Sequence, residues 1–131
     1  MRVLLIEDDK FFQKFYAVKL KEQNIEVDVA SDGEEGLLKM RQFKPDLIFL
    51  DLIMPKADGF SVLKSRQQDV ELAKIPVIVF STLGQENDVK LAKSLGANDY
   101  INKSFFDFGI MMAKINSIMK SSRVENIMKS S

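Results

Sequence analysis

The chain of 131 residues contains no cysteine and no histidine. The absence of cysteine excludes disulfide bonds, thiolate nucleophiles and zinc–cysteine sites, and it predicts a cytoplasmic protein. The absence of histidine excludes serine–histidine–aspartate triads and imidazole metal sites. Any metal ion that this chain binds must therefore be held by oxygen atoms.

The sequence also lacks an excess of one charge, since 19 basic residues balance 19 acidic ones. We therefore expect no direct binding to nucleic acid and no general attraction to an anionic membrane. No apolar run approaches the roughly 20 residues that a membrane-spanning helix needs, and no signal peptide is recognisable, so we expect no membrane insertion. The length predicts one domain over residues 1–120, and residues 121–131 form either an extension of the last helix or a separate tail.

One segment of the chain is apolar throughout and ends on a single carboxylate. Residues 47–50 show no polar alternation, which predicts a central strand of a parallel sheet covered by helices on both faces. Pro45 precedes this strand and Pro55 is predicted to stop it. Asp51 then lies at the carboxyl end of a buried strand, where open α/β sheets bind ligands. A carboxylate at that position needs a cationic partner.

Strand-forming and helix-forming patterns alternate along the rest of the chain. We predict strands at residues 2–6, 26–30, 47–50, 77–80 and 99–102. We predict helices at about 10–23, 34–43, 59–68 and 86–95, and a last helix that starts near Asp107. Asp9 and Asp58 are predicted N-caps. Five strands that alternate with five helices imply a doubly wound α/β fold with a parallel sheet.

The carboxyl ends of the predicted strands gather a small set of reactive side chains. They are Glu7, Asp8, Asp51, Ser81, Thr82 and Lys103. Because these ends lie along one edge of a parallel sheet, we expect three carboxylates, a hydroxyl group and an ammonium group to converge there. Clustered carboxylates repel one another unless a cation lies between them.

The residue types at this edge favour Mg²⁺, which binds a few carboxylates together with water and phosphate oxygens. We expect Asp8 and Asp51 to bind the ion directly, Glu7 to bind it through water, and the backbone carbonyl of Ile53 to add an oxygen. A carboxylate that faces Mg²⁺, an ammonium group and a hydroxyl group is arranged to attack phosphorus. Lys103 and Ser81 would hold phosphoryl oxygens, and the predicted product is an aspartyl phosphate on Asp51.

The order and spacing of these residues resemble the receiver domain of response regulators, the phosphoacceptor module of two-component signalling. The matching segments are Leu5-Ile6-Glu7-Asp8, residues 45–55, Asp58-Gly59, residues 76–81 and residues 96–103. The resemblance implies a receiver domain over residues 1–120 with a flavodoxin-like (βα)5 fold and strand order 2-1-3-4-5. It also implies Mg²⁺ as cofactor and transfer to Asp51 from a phosphohistidine of a histidine kinase or a histidine phosphotransfer protein.

The resemblance further implies a switch. In the family the hydroxyl residue moves toward the phosphoryl group and an aromatic residue on the fifth strand follows it. Ser81, with Thr82 after it, and Tyr100 occupy those places. A downstream protein target or output domain would recognise the changed face, and homodimerisation on phosphorylation is a further option. Such a protein is a signalling switch that catalyses its own phosphotransfer and dephosphorylation, not an enzyme.

Two residues depart from the family pattern. Ser104 follows Lys103 where the family usually has proline, often after a cis peptide bond. A cis bond before a non-proline residue costs roughly 3 kcal/mol, so either that strain is retained or the loop reorganises. Thr82 stands where the family usually has alanine or glycine, and we expect its bulk to narrow access to Asp51.

The first predicted helix is apolar over an unusually wide face. Its core-facing stripe is predicted to contain Phe12, Phe15, Tyr16 and Leu20. Phe11, Phe15 and Val18 follow one another at i, i+4 and i+7. Because the first helix helps to dock the kinase or phosphotransfer bundle in the family, we expect these three residues to contribute to partner docking. Ordinary packing is the alternative for Phe11 and Val18.

Two other classes of function stay open at this point. One is a receiver-like interaction module that binds its partners without phosphorylation. The other is an aspartate-nucleophile phosphatase, although that class typically has a second aspartate two residues after the nucleophile, where this chain has Ile53. Flavin binding is disfavoured because clustered carboxylates repel a phosphate group. A stand-alone regulator and a receiver from a longer protein fit the sequence equally.

Overall fold

The computed structural model of the protein describes residues 1–54, 58–82, 85–105 and 107–130. The strands are β1 (Arg2–Ile6), β2 (Glu26–Ala30), β3 (Leu47–Leu50), β4 (Val77–Ser81) and β5 (Asp99–Asn102). The helices are α1 (Lys10–Lys21), α2 (Gly33–Phe43), α3 (Gly59–Gln67), α4 (Glu86–Ser94) and α5 (Phe108–Ser130). The strands form one parallel sheet in the order β2-β1-β3-β4-β5. The predicted fold class and strand order are therefore confirmed.

Helices cover both faces of the sheet. Successive residues of a strand point to opposite sides, so each strand supplies two apolar layers. Leu4 and Ile48 belong to an apolar cluster with buried residues of α2, α3 and α4. Phe49 and Ile78 belong to a second cluster, on the other face, with buried residues of α1 and α5. Every residue of β3 is buried, as its continuous apolar sequence predicts.

Aspartate side chains cap the helices that begin beside the carboxyl edge of the sheet. Asp9 accepts hydrogen bonds from the backbone N–H groups of Phe11 at 2.9 Å and Phe12 at 3.2 Å. Asp58 accepts one from Ser61 at 2.9 Å. Both predicted N-caps are confirmed.

The boundaries of several elements differ by one or two residues from the predicted ones. The helix α1 ends at Lys21, because the chain turns at Asn24, where φ is 62°. The strand β4 runs through Ser81, one residue further than predicted, so Ser81 lies within the sheet. The last helix continues to Ser130, and the predicted end of the receiver domain at residue 120 stays a prediction. Pro55, predicted to stop the third strand, lies outside the described residues.

One residue of the predicted core-facing stripe on α1 is exposed instead. Tyr16 and Leu20 are buried and Phe12 is half-buried, but Phe15 is 37% exposed. The i, i+4, i+8 series of Phe12, Tyr16 and Leu20 already fills the contact with the sheet, which turns Phe15 outward beside Phe11. The prediction that Phe15 faces the core was therefore wrong.

None of the helices in the described ranges combines the length and hydropathy that a bilayer crossing requires.

Gly59, the first residue of α3, fixes the distance between this helix and the backbone at Asp51. Its N–H donates to the Leu52 carbonyl at 3.0 Å. A Cβ atom on Gly59 would lie 2.6 Å from the Asp51 carbonyl oxygen and 2.6 Å from the Leu52 Cα. We expect Gly59→Ala to lower the free energy of unfolding by about 1–3 kcal/mol, because backbone atoms cannot rotate out of the way. Urea unfolding measures this loss.

The matched control for that substitution is Gly109→Ala in the first turn of α5. Among the described residues, an added Cβ there would meet the Asp107 side chain, 3.0 Å away, and that carboxylate can shift. We expect no loss of stability from this change. Equal unfolding curves for Gly59→Ala and the wild type would contradict the close approach at Asp51.

Candidate functional site

Three carboxylates converge at the carboxyl edge of the sheet, as the sequence predicts. Glu7 and Asp8 follow β1, and Asp51 follows β3. One oxygen atom of each carboxylate lies within 4.8 Å of the others. Glu7 and Asp51 are buried, whereas Asp8 is exposed. The arrangement places negative charge at the boundary between the core and solvent.

The backbone holds the two buried carboxylates rigidly. The Glu7 N–H donates to the Ala30 carbonyl at 2.9 Å, and the Asp51 N–H donates to the Ile6 carbonyl at 3.0 Å. Both bonds continue the pairing of the sheet one residue beyond the strand ends. The Asp51 carboxylate also accepts a hydrogen bond from the Ile53 N–H at 3.1 Å. The side chains therefore project from an ordered edge.

Lys103 supplies the cation that the buried aspartate requires. Its Nζ lies 2.6 Å from Glu7 Oε2 and 3.2 Å from Asp51 Oδ2, and its side chain is 7% exposed. The lysine follows β5, so it reaches across the end of β4 to contact residues of β3 and β1. Its ammonium group therefore joins three strand ends that lie far apart in sequence.

The pKa of Glu7 reflects its burial and the charged groups beside it. Burial raises the pKa of the Glu7 carboxyl group to about 7, and the charge of Asp51 adds to the rise. The ammonium group of Lys103 lowers the pKa of Glu7, but the pKa stays above its usual value. A second cation beside these carboxylates would stabilise their ionised forms.

The donor set at this edge fits a hard divalent cation. All three candidate ligands are carboxylates, and Mg²⁺ prefers oxygen ligands with several positions left for water or phosphate. The exposed Asp8 leaves the cluster open to solvent. The predicted contribution of the Ile53 carbonyl stays a prediction.

Two residues of α1 that the sequence patterns did not single out also support the site. Gln13 donates from its amide Nε2 to the backbone carbonyl of Glu7 and, at 3.0 Å, to Ser31 Oγ. Phe12 lies beside the Lys103 ammonium group. In sequence, Gln13 is an ordinary polar helix residue, and Phe12 is one more member of an apolar stripe. Their contacts become visible only once α1 is placed on the sheet.

Ser81 and Tyr100, the predicted switch pair, lie beside each other. Ser81 is fully buried at the end of β4, and Tyr100 on β5 packs against the first apolar cluster. Burial raises the pKa of the Tyr100 hydroxyl to about 12, and the charges of Asp88 and Asp51 add to the rise. A side-chain hydrogen bond with Ser81 acts in the opposite direction. The neighbouring Thr82 is exposed, and its effect on access to Asp51 stays a prediction.

The loop after β5 shows whether the peptide bond between Lys103 and Ser104 is cis or trans. Every peptide bond in the described part of the chain is trans, the Lys103–Ser104 bond included. The Ser104 N–H donates to Asn102 Oδ1 at 2.8 Å, and residues Lys103–Phe105 form a short 3₁₀ turn. The loop is thus reorganised, and Lys103 still reaches Glu7 and Asp51.

The predicted docking residues form a continuous apolar surface on the outer side of α1. Phe11 is 70% and Val18 49% exposed, and Phe15 stacks on Phe11 with ring centroids 6.1 Å apart. Together with Lys14 and Lys19 they line a shallow cleft of about 240 Å³. We call this surface, formed by Phe11, Phe15 and Val18, the α1 patch.

Comparison with known proteins identifies the family. The sequence profile of the response regulator receiver domain matches residues 3–116, and the chain belongs to this family. The DNA-binding dual master transcriptional regulator RpaA of Synechocystis is 36% identical over 91% of this chain. The match covers 49% of RpaA, so this chain spans about half the length of that relative.

Solved structures agree with this assignment. The receiver domain of the Francisella response regulator 1452 is 30% identical, with a TM-score of 0.84 over 92% of this chain and 98% of that one. The Mn²⁺-bound form of response regulator Rcp1 is 33% identical, with a TM-score of 0.73 over 80% of this chain and 82% of that one. The family predicted from the sequence is therefore confirmed.

Receiver domains share several general properties. Receiver domains are switches of two-component signalling that are phosphorylated on an aspartate. They bind Mg²⁺ at an acidic pocket and interact with histidine kinases and output domains. The expectation of no direct nucleic-acid binding gains no support from the comparisons, because RpaA is named as a DNA-binding regulator.

Proposed function

We propose that this chain accepts a phosphoryl group on Asp51 from a phosphohistidine of a histidine kinase or histidine phosphotransfer protein. The main support is the convergence of Asp51 with Glu7, Asp8 and the Lys103 ammonium group at one edge of the sheet. These 131 residues contain no histidine, so the phosphohistidine lies outside this sequence. It acts as a self-catalysing switch and not as an enzyme with a separate substrate.

The transfer forms one bond and breaks another. A carboxylate oxygen of Asp51 bonds to phosphorus while the bond from phosphorus to the donor imidazole nitrogen breaks, and the electron pair leaves with the nitrogen. Lys103, already 3.2 Å from Asp51 Oδ2, compensates negative charge on the phosphoryl oxygens. The hydroxyl group of Ser81 donates to another of those oxygens once it moves toward Asp51.

Asp8 and Asp51 would hold Mg²⁺ directly, Glu7 would hold it through water, and the Ile53 carbonyl would complete the protein ligands. When bound, the ion neutralises negative charge on the carboxylates and on the incoming phosphoryl group. The Mn²⁺-bound structure of Rcp1 supports a divalent cation in a related receiver. The raised pKa of Glu7 supports a need for added positive charge at the same place.

The signal would leave the site through Ser81 and Tyr100. A move of Ser81 toward the phosphoryl group changes its hydrogen bond with Tyr100, and Tyr100 packs on the apolar cluster shared by α2, α3 and α4. The face formed by α4, β5 and α5 would then present a different surface to a protein target or output domain.

The direct test is intact mass spectrometry after incubation with acetyl phosphate. We expect the mass of one phosphoryl group to be added in the presence of Mg²⁺ and none to be added when the metal is chelated. The control is the same incubation without the phosphodonor. If neither acetyl phosphate nor a phosphorylated phosphotransfer protein modifies the chain, the phosphorylation-independent interaction module replaces this proposal.

The α1 patch is the proposed contact for the helical bundle that carries the phosphohistidine. We expect the double variant Phe11→Ala and Val18→Ala to slow transfer from a phosphorylated histidine phosphotransfer protein by about tenfold, because two exposed apolar anchors are lost. Phosphorylation by acetyl phosphate, which needs no docking, reports whether Asp51 is intact. Leu38→Ala, at an exposed residue of α2, is the matched control. Unchanged transfer to the double variant would exclude the α1 patch.

A further inference from the structure

Two aromatic rings flank the ammonium group of Lys103. Its Nζ lies 5.1 Å from the centre of the Phe12 ring and 5.3 Å from the centre of the Phe80 ring. Both distances fall within the roughly 6 Å over which a cation is attracted to an aromatic face. Because the lysine side chain is only 7% exposed, water screens this attraction weakly.

Other aromatic side chains hold the two rings in place. Phe12 stacks on Tyr16 with centroids 5.8 Å apart, and Tyr16 meets Phe80 edge to face at 4.8 Å. Phe80 in turn contacts Phe49, a buried residue of β3. The two rings beside Lys103 are thus fixed by contacts with other aromatic residues of the same apolar cluster.

The polar contacts of Lys103 cannot stay constant through the proposed reaction. Its Nζ bridges Glu7 and Asp51, but Asp51 gives one oxygen to phosphorus when it accepts the phosphoryl group. Lys103 must then move from the carboxylate to a phosphoryl oxygen. The two ring faces change in none of these steps.

We propose that Phe12, together with Phe80, is a positioning residue that keeps the Lys103 ammonium group aimed at the phosphoryl position while its polar partners change. This inference rests on the proposed phosphorylation of Asp51. Phe12 is the residue to test, because it is half-buried on α1 whereas Phe80 is buried in the core.

A packing role and a positioning role predict different results. Phe12→Leu keeps an apolar side chain but removes the aromatic face, whereas Phe12→Tyr keeps the face. Phe43→Leu is a matched control, because Phe43 is also half-buried and faces a cation, Arg2, at 4.1 Å, but lies outside the site.

The experiment measures the rate of phosphorylation by acetyl phosphate at saturating Mg²⁺, and the Kd for Mg²⁺ by titration calorimetry. We expect Phe12→Leu to react about tenfold more slowly, Phe12→Tyr to react within about twofold of the wild type, and Phe43→Leu to react like the wild type. The Kd for Mg²⁺ should be the same in all four proteins, because these substitutions leave Glu7, Asp8 and Asp51 in place.

A second readout needs no phosphorylation. The ring currents of Phe12 and Phe80 should shift the NMR signals of the Lys103 ε-methylene protons upfield, and Phe12→Leu should reduce that shift while Phe12→Tyr preserves it. Wild-type rates or an unchanged lysine signal in Phe12→Leu would overturn the inference, and so would equal losses in Phe12→Leu and Phe12→Tyr. Failure of the proposed function itself would show in the wild type, which would then gain no phosphoryl group.

Discussion

Replacement of Asp51 by asparagine should abolish the incorporation of a phosphoryl group from acetyl phosphate. The amide keeps the shape of the side chain but has no carboxylate oxygen to form the acyl phosphate. Its carbonyl can still accept the hydrogen bond from the Ile53 N–H, which lies 3.1 Å from Asp51 Oδ1, so we expect the variant to fold. Intact mass measures the outcome, and circular dichroism verifies the fold.

Asp46→Asn is the matched control for this prediction. Asp46 precedes the same strand but lies at its amino end, where its exposed carboxylate accepts a hydrogen bond from the Arg2 N–H at 2.7 Å. We expect this variant to gain the phosphoryl group like the wild type. A full mass gain in Asp51→Asn would show that another residue is the acceptor.

Replacement of Lys103 by methionine should slow phosphorylation by about a hundredfold to a thousandfold, the usual cost of losing one group that stabilises charge in the transition state. Methionine fills similar space between the Phe12 and Phe80 rings but carries no charge. In the wild type the ammonium group lies 2.6 Å from Glu7 and opposes the rise in the Glu7 pKa. The variant loses this opposing charge. The rate is obtained by quenching the reaction at intervals and measuring the phosphorylated fraction by intact mass spectrometry.

Lys114→Met controls for the loss of a surface lysine. Lys114 on α5 pairs with Asp99 at 2.7 Å and is partly exposed. We expect its phosphorylation rate to stay close to that of the wild type. A wild-type rate in Lys103→Met would instead mean that the ammonium group serves only the folded state.

Much of this site could be predicted because strand patterns are explicit in the sequence. The unbroken apolar segment of β3 indicates burial on both faces, and the carboxyl edge then brings Glu7, Asp51 and Lys103 together. The prediction needed no knowledge of side-chain conformation. It depended only on which residue follows each strand.

The helix contacts could not be predicted in the same way. A wide apolar face on α1 does not reveal which ring turns outward, and so Phe15 was wrongly assigned to the core. Likewise, Phe12 has no feature in sequence that distinguishes core packing from contact with a distant lysine. The peptide bond after Lys103 is trans, as is usual before a residue other than proline, but the hydrogen bond from the Ser104 N–H to Asn102 Oδ1 has no signal in the sequence.

The most direct measurement is to locate the phosphoryl group on the chain. Acyl phosphates are reduced by borohydride to the corresponding alcohol, so the phosphorylated aspartate becomes homoserine and can be found by tandem mass spectrometry of peptides. We predict homoserine at position 51 only, and only after incubation with both acetyl phosphate and Mg²⁺. Homoserine at position 8, or an unreduced phosphate on a serine or threonine, would contradict the assignment of Asp51.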